Sequence, residues 1–277
     1  MEELLEAGVH FGHQVRRGNP KMRQYIYGAR DGVHIIDLAF SESLLKEAAQ
    51  AVFEMGKNGK VMLLVGTKKQ AREIIESLAK EVDTPYLTSR WVGGMLTNFD
   101  EIKKNLNKLN ELKELRAKGE LSKYTKKEQL LISRKLEKYD VELGGISSLD
   151  KVPDAMFIVD TPAEMTAVKE GARMGIKLIG FSDTNSDPNL MDFPIPANDD
   201  GIKSIKIIAE TVIRAYGEGK EAAGVVITGK AKEEKKPTKK EEIEEKVSDD
   251  VIEETAVIEE EIEKEVLSEF SRKEGQA

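Results

Sequence analysis

The sequence predicts an α/β protein of three layers, in which a parallel sheet lies between two layers of helices. Short continuous apolar runs, such as residues 61–65 (VMLLV), indicate strands that are covered on both faces. Amphipathic repeats with helical spacing separate these runs. Because strand, helix and strand alternate, we expect a parallel sheet with helices on both faces, and we predict the flavodoxin-like strand order 2-1-3-4-5.

Five strands and four helices are predicted in the α/β part of the chain. A first helix is predicted over 41–55, because apolar residues recur there every three or four positions and Gly56 follows as a stop signal. A strand over 61–65 leads into a helix that begins at a capping box, 67–70, and ends near Lys80. The remaining predicted strands are 86–87, 155–159, 176–181 and 192–195, and the remaining helices are one opened by a capping box at 161–164 and one over 202–216.

Residues 98–143 interrupt the alternation with two long helical patterns. Capping boxes begin both arms, at Asn98 and at Thr125, and Gly119 lies between them. Apolar residues at spacings of three and four predict an antiparallel helical hairpin, inserted as a self-contained arm. The segment 98–142 carries 12 basic and 9 acidic residues. A protruding arm of this kind is typical of a contact with a partner.

Charge divides the chain into a neutral body and an acidic tail. The net charge is -8, and residues 231–277 hold 17 acidic and 9 basic side chains, which accounts for all of it. We therefore predict an α/β domain over 1–97 and 144–229, the hairpin over 98–143, and a disordered acidic tail over 230–277. In the tail, apolar residues recur every four positions, and they would form one stripe on a helix: Ile258, Ile262, Val266 and Phe270.

Composition excludes several classes of protein. The chain has no cysteine, so disulfide scaffolds, cysteine-ligated zinc, iron–sulfur clusters and thiol nucleophiles are excluded. The apolar runs are far shorter than the roughly 18 residues that a membrane span needs. The acidic N-terminus has no signal-peptide pattern. We expect a soluble, cytoplasmic protein.

The strongest electrostatic feature is a basic segment over residues 10–30. It contains no acidic residue, and its five fixed positive charges are Arg16, Arg17, Lys21, Arg23 and Arg30. Aromatic and imidazole side chains are interleaved with them, which suits contacts with phosphates and with unpaired bases. A solvated basic loop that covers the edge of the sheet is the alternative.

Enzymatic sites are weakly supported. The turn at Gly66 follows a buried strand, yet it matches neither of the glycine-rich phosphate-binding motifs. Five aspartates near strand ends could hold Mg²⁺, although they lie in turn-rich segments where aspartate is common: Asp183, Asp187, Asp192, Asp199 and Asp200. His10 and His13 could share a metal ion, but with no carboxylate or cysteine nearby in sequence, structural or RNA-facing histidines are favoured. No serine, histidine and aspartate set can be assembled.

Several ordered motifs resemble the family of bacterial small ribosomal subunit protein number two. They are residues 5–13 (LEAGVHFGH), 16–17, 19–22 (NPKM), 32–38 (GVHIIDL), 90–98 (RWVGGMLTN), 153–161, 183–188 (DTNSDP), 194–196 and 198–200. The resemblance extends from about Leu4 to Gly217. Gly18 and Phe99 stand where that family usually has Trp, and Ser186 takes a position that is often Cys.

The resemblance implies a structural constituent of the small ribosomal subunit, located near the junction of head and body. It implies binding to rRNA and to neighbouring ribosomal proteins, including docking of the largest small-subunit protein. It implies no catalysis, cofactor, metal, membrane or small-molecule substrate. We expect the rRNA contacts to involve Arg16, Arg17, Lys21, Arg23, Arg90, Lys103 and Lys104. A nucleotide- or Mg²⁺-dependent α/β enzyme and a non-ribosomal RNA-binding adaptor are the alternatives that remain open.

Overall fold

A computed structural model describes residues 1–119, 121 and 125–224 of the chain. The predicted acidic tail, 230–277, lies outside the described residues. The helices are α1 (Glu2–Glu6), α2 (Leu38–Lys57), α3 (Arg72–Glu81), α4 (Phe99–Ala117), α5 (Lys126–Leu143), α6 (Met165–Met174) and α7 (Ile202–Ala222). The strands are β1 (Phe11–Gln14), β2 (Ile26–Arg30), β3 (Val33–Ile36), β4 (Met62–Val65), β5 (Tyr86–Leu87), β6 (Ala155–Ile158), β7 (Lys177–Phe181) and β8 (Phe193–Ile195).

The larger sheet has five parallel strands in the order β5-β4-β6-β7-β8. Counted along the chain within this sheet, the order reads 2-1-3-4-5. The chain leaves β4 toward β5 on one side and later returns to place β6 on the other side of β4. The predicted α/β class with a parallel sheet is therefore confirmed. The strand order reverses between β4 and β6.

Two buried clusters cover opposite faces of this sheet. On β4, Leu64 belongs to the cluster that includes α2, α3 and α7, whereas Leu63 and Val65 belong to the cluster that includes α4 and α6. The alternation arises because successive side chains of a strand point to opposite faces. It explains why the core strands are apolar at every position.

Helices α2 and α7 pack closely because each has a glycine at the contact. A Cβ atom built on Gly56 would lie 2.4 Å from the carbonyl oxygen of Tyr216. A Cβ atom on Gly219 would lie 2.1 Å from the carbonyl oxygen of Phe53. Both glycines therefore permit a contact between backbones that any larger residue would force apart.

The base of the helical hairpin belongs to the second core. Phe99, Ile102, Leu106 and Leu109 of α4 are buried in the same cluster as Leu63 of the sheet. The expectation of a self-contained arm does not hold for this part of the hairpin, because the apolar residues of α4 are shared with the sheet domain. The sequence pattern could not show this, since a helix buries the same stripe against either neighbour.

Two deletions should distinguish the contribution that the base of the hairpin makes to stability from that of its outer part. Removing residues 100–140 takes Ile102, Leu106 and Leu109 out of the core, and we expect the domain to lose its cooperative melt. Removing residues 114–138 with a short Gly-Ser linker keeps these three residues, and we expect a cooperative melt within about 5 °C of the parent. Circular dichroism melts measure both. A cooperative melt of the longer deletion would show that α4 contributes nothing essential to the core.

The predicted capping boxes give a mixed result. The box at Thr125 and Glu128 is confirmed, with both reciprocal hydrogen bonds present. The boxes predicted at Thr67, Asn98 and Thr161 are wrong, since helices α3, α4 and α6 have no side-chain cap. The hydroxyl of Thr161 instead donates to the carbonyl oxygen of Phe181 (2.6 Å), and that of Thr67 donates to a carboxylate, so tertiary partners displace the local ones.

The basic segment forms a small antiparallel sheet, which the sequence patterns did not predict. Its strand order is β1-β3-β2, and short 3-10 turns at Val15–Arg17 and Pro20–Tyr25 join β1 to β2. The strands have four or five residues and contain glycine, histidine and arginine. Strands of this composition have little apolar alternation, so pairing rather than local preference establishes them.

Candidate nucleic-acid interface

The small sheet is attached to the carboxyl edge of the large sheet through the loop that follows β7. The backbone amide of His13 donates to the Thr184 hydroxyl (2.8 Å), and that of Asn19 donates to the Thr184 carbonyl oxygen (2.7 Å). Gly12 allows this approach, because a Cβ atom there would lie 2.5 Å from the Thr184 side chain. The 183–188 motif is therefore the docking site of the basic segment.

Three arginines of the basic segment face solvent. Arg16, Arg17 and Arg23 are exposed. Arg16 donates to the side-chain carbonyl of Gln14 (2.8 Å). Among residues 1–119, 121 and 125–224, none of the three forms an ion pair with a carboxylate. Arg17 acts at a distance on Asp200: burial alone would raise the pKa of that carboxylate, and the charge of Arg17 is among those that lower it. The exposed guanidinium groups can contact an external anion, and adjacent phosphates are suitable anions.

Lys21 differs from these arginines. Its ammonium lies 2.5 Å from the Asp187 carboxylate, in the loop after β7. Residues 10–30 contain no acidic residue, yet Lys21 has a counter-charge, because its acidic partner is distant in sequence and close in space. Lys21 orients the segment, and its charge is partly compensated.

Arg90, Lys103 and Lys104 lie elsewhere. Arg90 is exposed in the loop after β5, Lys103 donates to the Asp150 carbonyl oxygen (2.8 Å), and Lys104 pairs with Glu101 (2.6 Å). Strands β5 and β7 are three positions apart in the sheet, which is about 14 Å. The predicted rRNA contacts therefore divide into two groups, and Arg90 is the member of the second group that has neither an ion pair nor a backbone acceptor in the described residues.

A buried carboxylate organises the loop that carries Arg90. Glu170 of α6 is 8% exposed and accepts hydrogen bonds from the amides of Gly94 (2.8 Å), Leu96 (3.0 Å) and Thr97 (3.3 Å). The indole of Trp91 donates to the same carboxylate (3.3 Å). Burial alone would raise the pKa of Glu170, but these hydrogen bonds lower it below its usual value. The 90–98 motif is thus a loop wrapped around one anion.

A lysine lies at the point where an α/β enzyme would bind a nucleotide. Ligands of such sheets bind outside the carboxyl ends of the strands, where the strand order reverses, which here is between β4 and β6. The Lys68 ammonium lies 3.2 Å from Asp160, 2.7 Å from Asp199 and 2.6 Å from Asp200. The side chain of Lys68 is 17% exposed. This crevice is therefore closed by an internal ion-pair cluster.

Charges in this cluster change the pKa values of its members. Burial, followed by the charges of Asp183 and Asp160, raises the pKa of Asp199 to about 7. Burial alone would lower the pKa of Lys68, but its hydrogen bonds to Asp199 and Asp200 raise it. The hydrogen bond to Asp183 (3.2 Å) raises the pKa of His13. His13 therefore has carboxylate neighbours in the fold, Asp183 and Asp200, although no acidic residue is close to it in the sequence.

Replacing Lys68 by methionine should destabilise the domain without abolishing folding. Asp160, Asp199 and Asp200 would lose their shared counter-charge, and we expect a loss of about 2 kcal/mol in the free energy of unfolding. Urea denaturation measures it. Adding Asp199→Asn to Lys68→Met should restore part of the loss, because one buried charge fewer then lacks a partner. An unchanged midpoint for Lys68→Met would show that the cluster contributes no stability.

Sequence reasoning missed Lys68 and Glu170. Lys68 lies in the turn after β4 and Glu170 lies in α6, and their partners are distant along the chain: Trp91 is separated from Glu170 by 79 positions, and Asp199 from Lys68 by 131. The turn at 65–69 after a strand was the available signal for Lys68. No local pattern marks Glu170.

Together, these features define a class of protein: an α/β scaffold with a closed ligand crevice and a cationic antiparallel sheet at its carboxyl edge. Within the described ranges, the helices are too short or too polar to cross a membrane. Residues 4–219 match the family model described as ribosomal protein S2. The chain belongs to this family, and the resemblance seen in the sequence motifs is confirmed.

Curated relatives agree with the family match. The chain is 46% identical over 259 residues to the small ribosomal subunit protein uS2 of Nitratiruptor sp., covering 92% of this chain and 97% of that protein. It is 46% identical over 237 residues to uS2 of Wolinella succinogenes (86% and 87%). It is 43% identical over 233 residues to uS2 of Coprothermobacter proteolyticus (84% and 87%).

Proposed function

We propose that the chain is a structural constituent of the small ribosomal subunit and binds rRNA through its N-terminal antiparallel sheet. The observation that carries this proposal is the exposed set Arg16, Arg17 and Arg23, which form no ion pair in the described residues and lie on the two 3-10 turns between β1 and β2, beside the contacts with the 183–188 loop. The planar guanidinium group donates two parallel hydrogen bonds to a phosphate, which makes arginine suited to this contact. Arg90 extends the rRNA contacts to a second place, and the base of the hairpin adds Lys103 and Lys104.

The neutral body of the protein suits a local contact. Residues 1–230 contain 34 acidic and 34 basic side chains, so no field of one sign covers the whole domain. We call the surface that carries Arg16, Arg17 and Arg23 the basic face. An rRNA contact confined to the basic face leaves the other surfaces for protein neighbours. We propose that these neighbours include the largest small-subunit protein, that the position is near the junction of head and body, and that the protein acts on ribosomes in the cytoplasm.

The scaffold performs no chemistry in this proposal. Lys68 and its carboxylates close the crevice that a nucleotide would occupy, and the hydrogen bond between Thr67 and Glu164 joins the loops after β4 and β6. The α/β topology therefore serves as a frame, since a fold does not determine an activity.

Sucrose-gradient sedimentation of a tagged full chain tests the proposal. We expect the tagged protein to move with small subunits and to leave them when salt is raised, because phosphate contacts depend on the release of counter-ions. A matched tag without the protein should stay at the top of the gradient. A full chain that also stays at the top, while native small subunits form normally, would contradict a ribosomal role.

A further inference from the structure

A groove of about 510 Å³ lies between the second 3-10 turn and the β2–β3 pair, and Arg23 is the exposed arginine that lines it. Its volume falls within the range of roughly 300–1,000 Å³ that is typical of small-ligand sites. Pro20, Ile26 and Ala29 provide apolar walls, and Arg23 and His34 also line the groove. None of its lining residues is acidic.

The two glycines of the groove have different roles. A Cβ atom built on Gly28 would meet no heavy atom within 4 Å, so this position faces empty space. A Cβ atom on Gly18 would lie 2.5 Å from Nε2 of His34, so Gly18 packs closely against the imidazole. The open part of the groove is therefore at Gly28, and a side chain there would fill it.

Two polar side chains, Arg23 and His34, line the groove. The guanidinium of Arg23 has no ion pair within the described residues. The Nδ1 atom of His34 is buried, so His34 contributes a ring surface and not this nitrogen. A planar cation and apolar walls suit an unstacked nucleobase, because the base can stack on the guanidinium and pack against the walls.

We propose that this groove binds one unpaired nucleobase of RNA, whose flanking phosphates contact Arg16 and Arg17. The charge of the lining identifies the occupant, since Arg23 together with the absence of acidic lining residues favours a polyanion over an apolar protein segment, and Arg16 and Arg17 precede the groove in the chain. The inference rests on the proposed function and specifies it: the basic face recognises single-stranded rRNA at one position and does not read the backbone alone.

Fluorescence anisotropy of the full chain with two RNA probes tests this inference. One probe is an oligoadenylate of about nine nucleotides, and the other has the same length with abasic sites throughout, so the phosphate charge is matched. We expect the oligoadenylate to bind about 10-fold more tightly, because base stacking adds to phosphate binding. Equal affinities for the two probes would overturn the inference.

Filling the groove should remove the difference between the probes. Gly28→Phe places a ring in open space on a strand, where aromatic residues are well accepted. We expect this variant to bind both probes with the affinity that the parent has for the abasic one. Thr211→Phe on the exposed side of α7 is the matched control, and it should keep the 10-fold preference.

The outcomes separate this inference from the proposed function. If both probes bind equally and binding falls with salt, the basic face binds backbone alone and the groove holds no base. If neither probe binds at low salt, the proposed rRNA contact itself fails. If Gly28→Phe keeps the full preference for the oligoadenylate, the base binds elsewhere and the groove assignment is overturned.

Discussion

Reversing the charge of Arg16 and Arg17 to glutamate is expected to weaken rRNA binding roughly 100-fold at low salt. Both side chains are exposed and form no ion pair in the described residues, so the change should leave the melting temperature nearly unchanged. The slope of log affinity against log salt should fall by about 2, because each arginine neutralises one phosphate in the parent protein. Filter binding or anisotropy with small-subunit rRNA fragments measures both quantities.

Lys57 and Lys60 provide the matched control. They are exposed and lie just before β4, at the amino edge of the sheet, whereas the basic segment docks at the carboxyl edge. Changing both to glutamate alters the net charge by the same amount. We expect less than about a 3-fold effect on affinity, since screened charges at a distance contribute little. Similar reductions in affinity for the two double variants would mean that net charge, and not the basic face, controls binding.

Replacing Glu170 by alanine is expected to cost on the order of 4 kcal/mol in the free energy of unfolding. The substitution leaves the amides of Gly94, Leu96 and Thr97, and the indole of Trp91, without their acceptor in a buried place. Urea denaturation measures the loss. Arg173→Ala, at an exposed position of the same helix, should change stability by less than about 0.5 kcal/mol. A loss below about 1 kcal/mol for Glu170→Ala would contradict this role.

Acid titration of stability gives an independent test of Glu170. Its pKa is lower in the fold than in the unfolded chain, so its stabilising contribution is complete above the unfolded pKa of about 4.3. That contribution disappears as the pH falls through the lower, folded pKa. Glu170→Gln cannot titrate, so the difference in melting temperature between it and the parent should shrink as the pH falls below about 4. A constant difference would show that this carboxylate does not ionise in the fold.

The large sheet could be predicted because its strands carry their signal locally. Met62 to Val65 and Ala155 to Ile158 are apolar at every position, and burial on both faces is the physical reason. The arginines of the basic segment could also be identified from the sequence, because they cluster in a segment without acidic residues. The predicted helix starts at Thr67 and Thr161 failed because their hydroxyls bind partners that are far away in sequence.

The features that could not be predicted depend on long-range contacts. Lys21 pairs with Asp187, Lys68 with Asp199, and Glu170 with the 91–97 loop, and none of these pairs is adjacent in sequence. The antiparallel sheet of the basic segment depends on pairing between short strands of four or five residues. Several of these residues lie in the family motifs 90–98 and 183–188. The fold explains why these motifs matter: the 183–188 loop binds the basic segment, and Glu170 binds the 90–98 loop.

The central claim is that the N-terminal antiparallel sheet contacts small-subunit rRNA. Ultraviolet cross-linking of assembled small subunits that contain this chain, followed by mass spectrometry of the cross-linked peptides, tests it most directly. We expect nucleotide adducts on peptides spanning residues 16–34, which include Arg16, Arg17, Arg23 and His34. Adducts confined to other parts of the chain, with the peptides of residues 16–34 recovered unmodified, would contradict the claim.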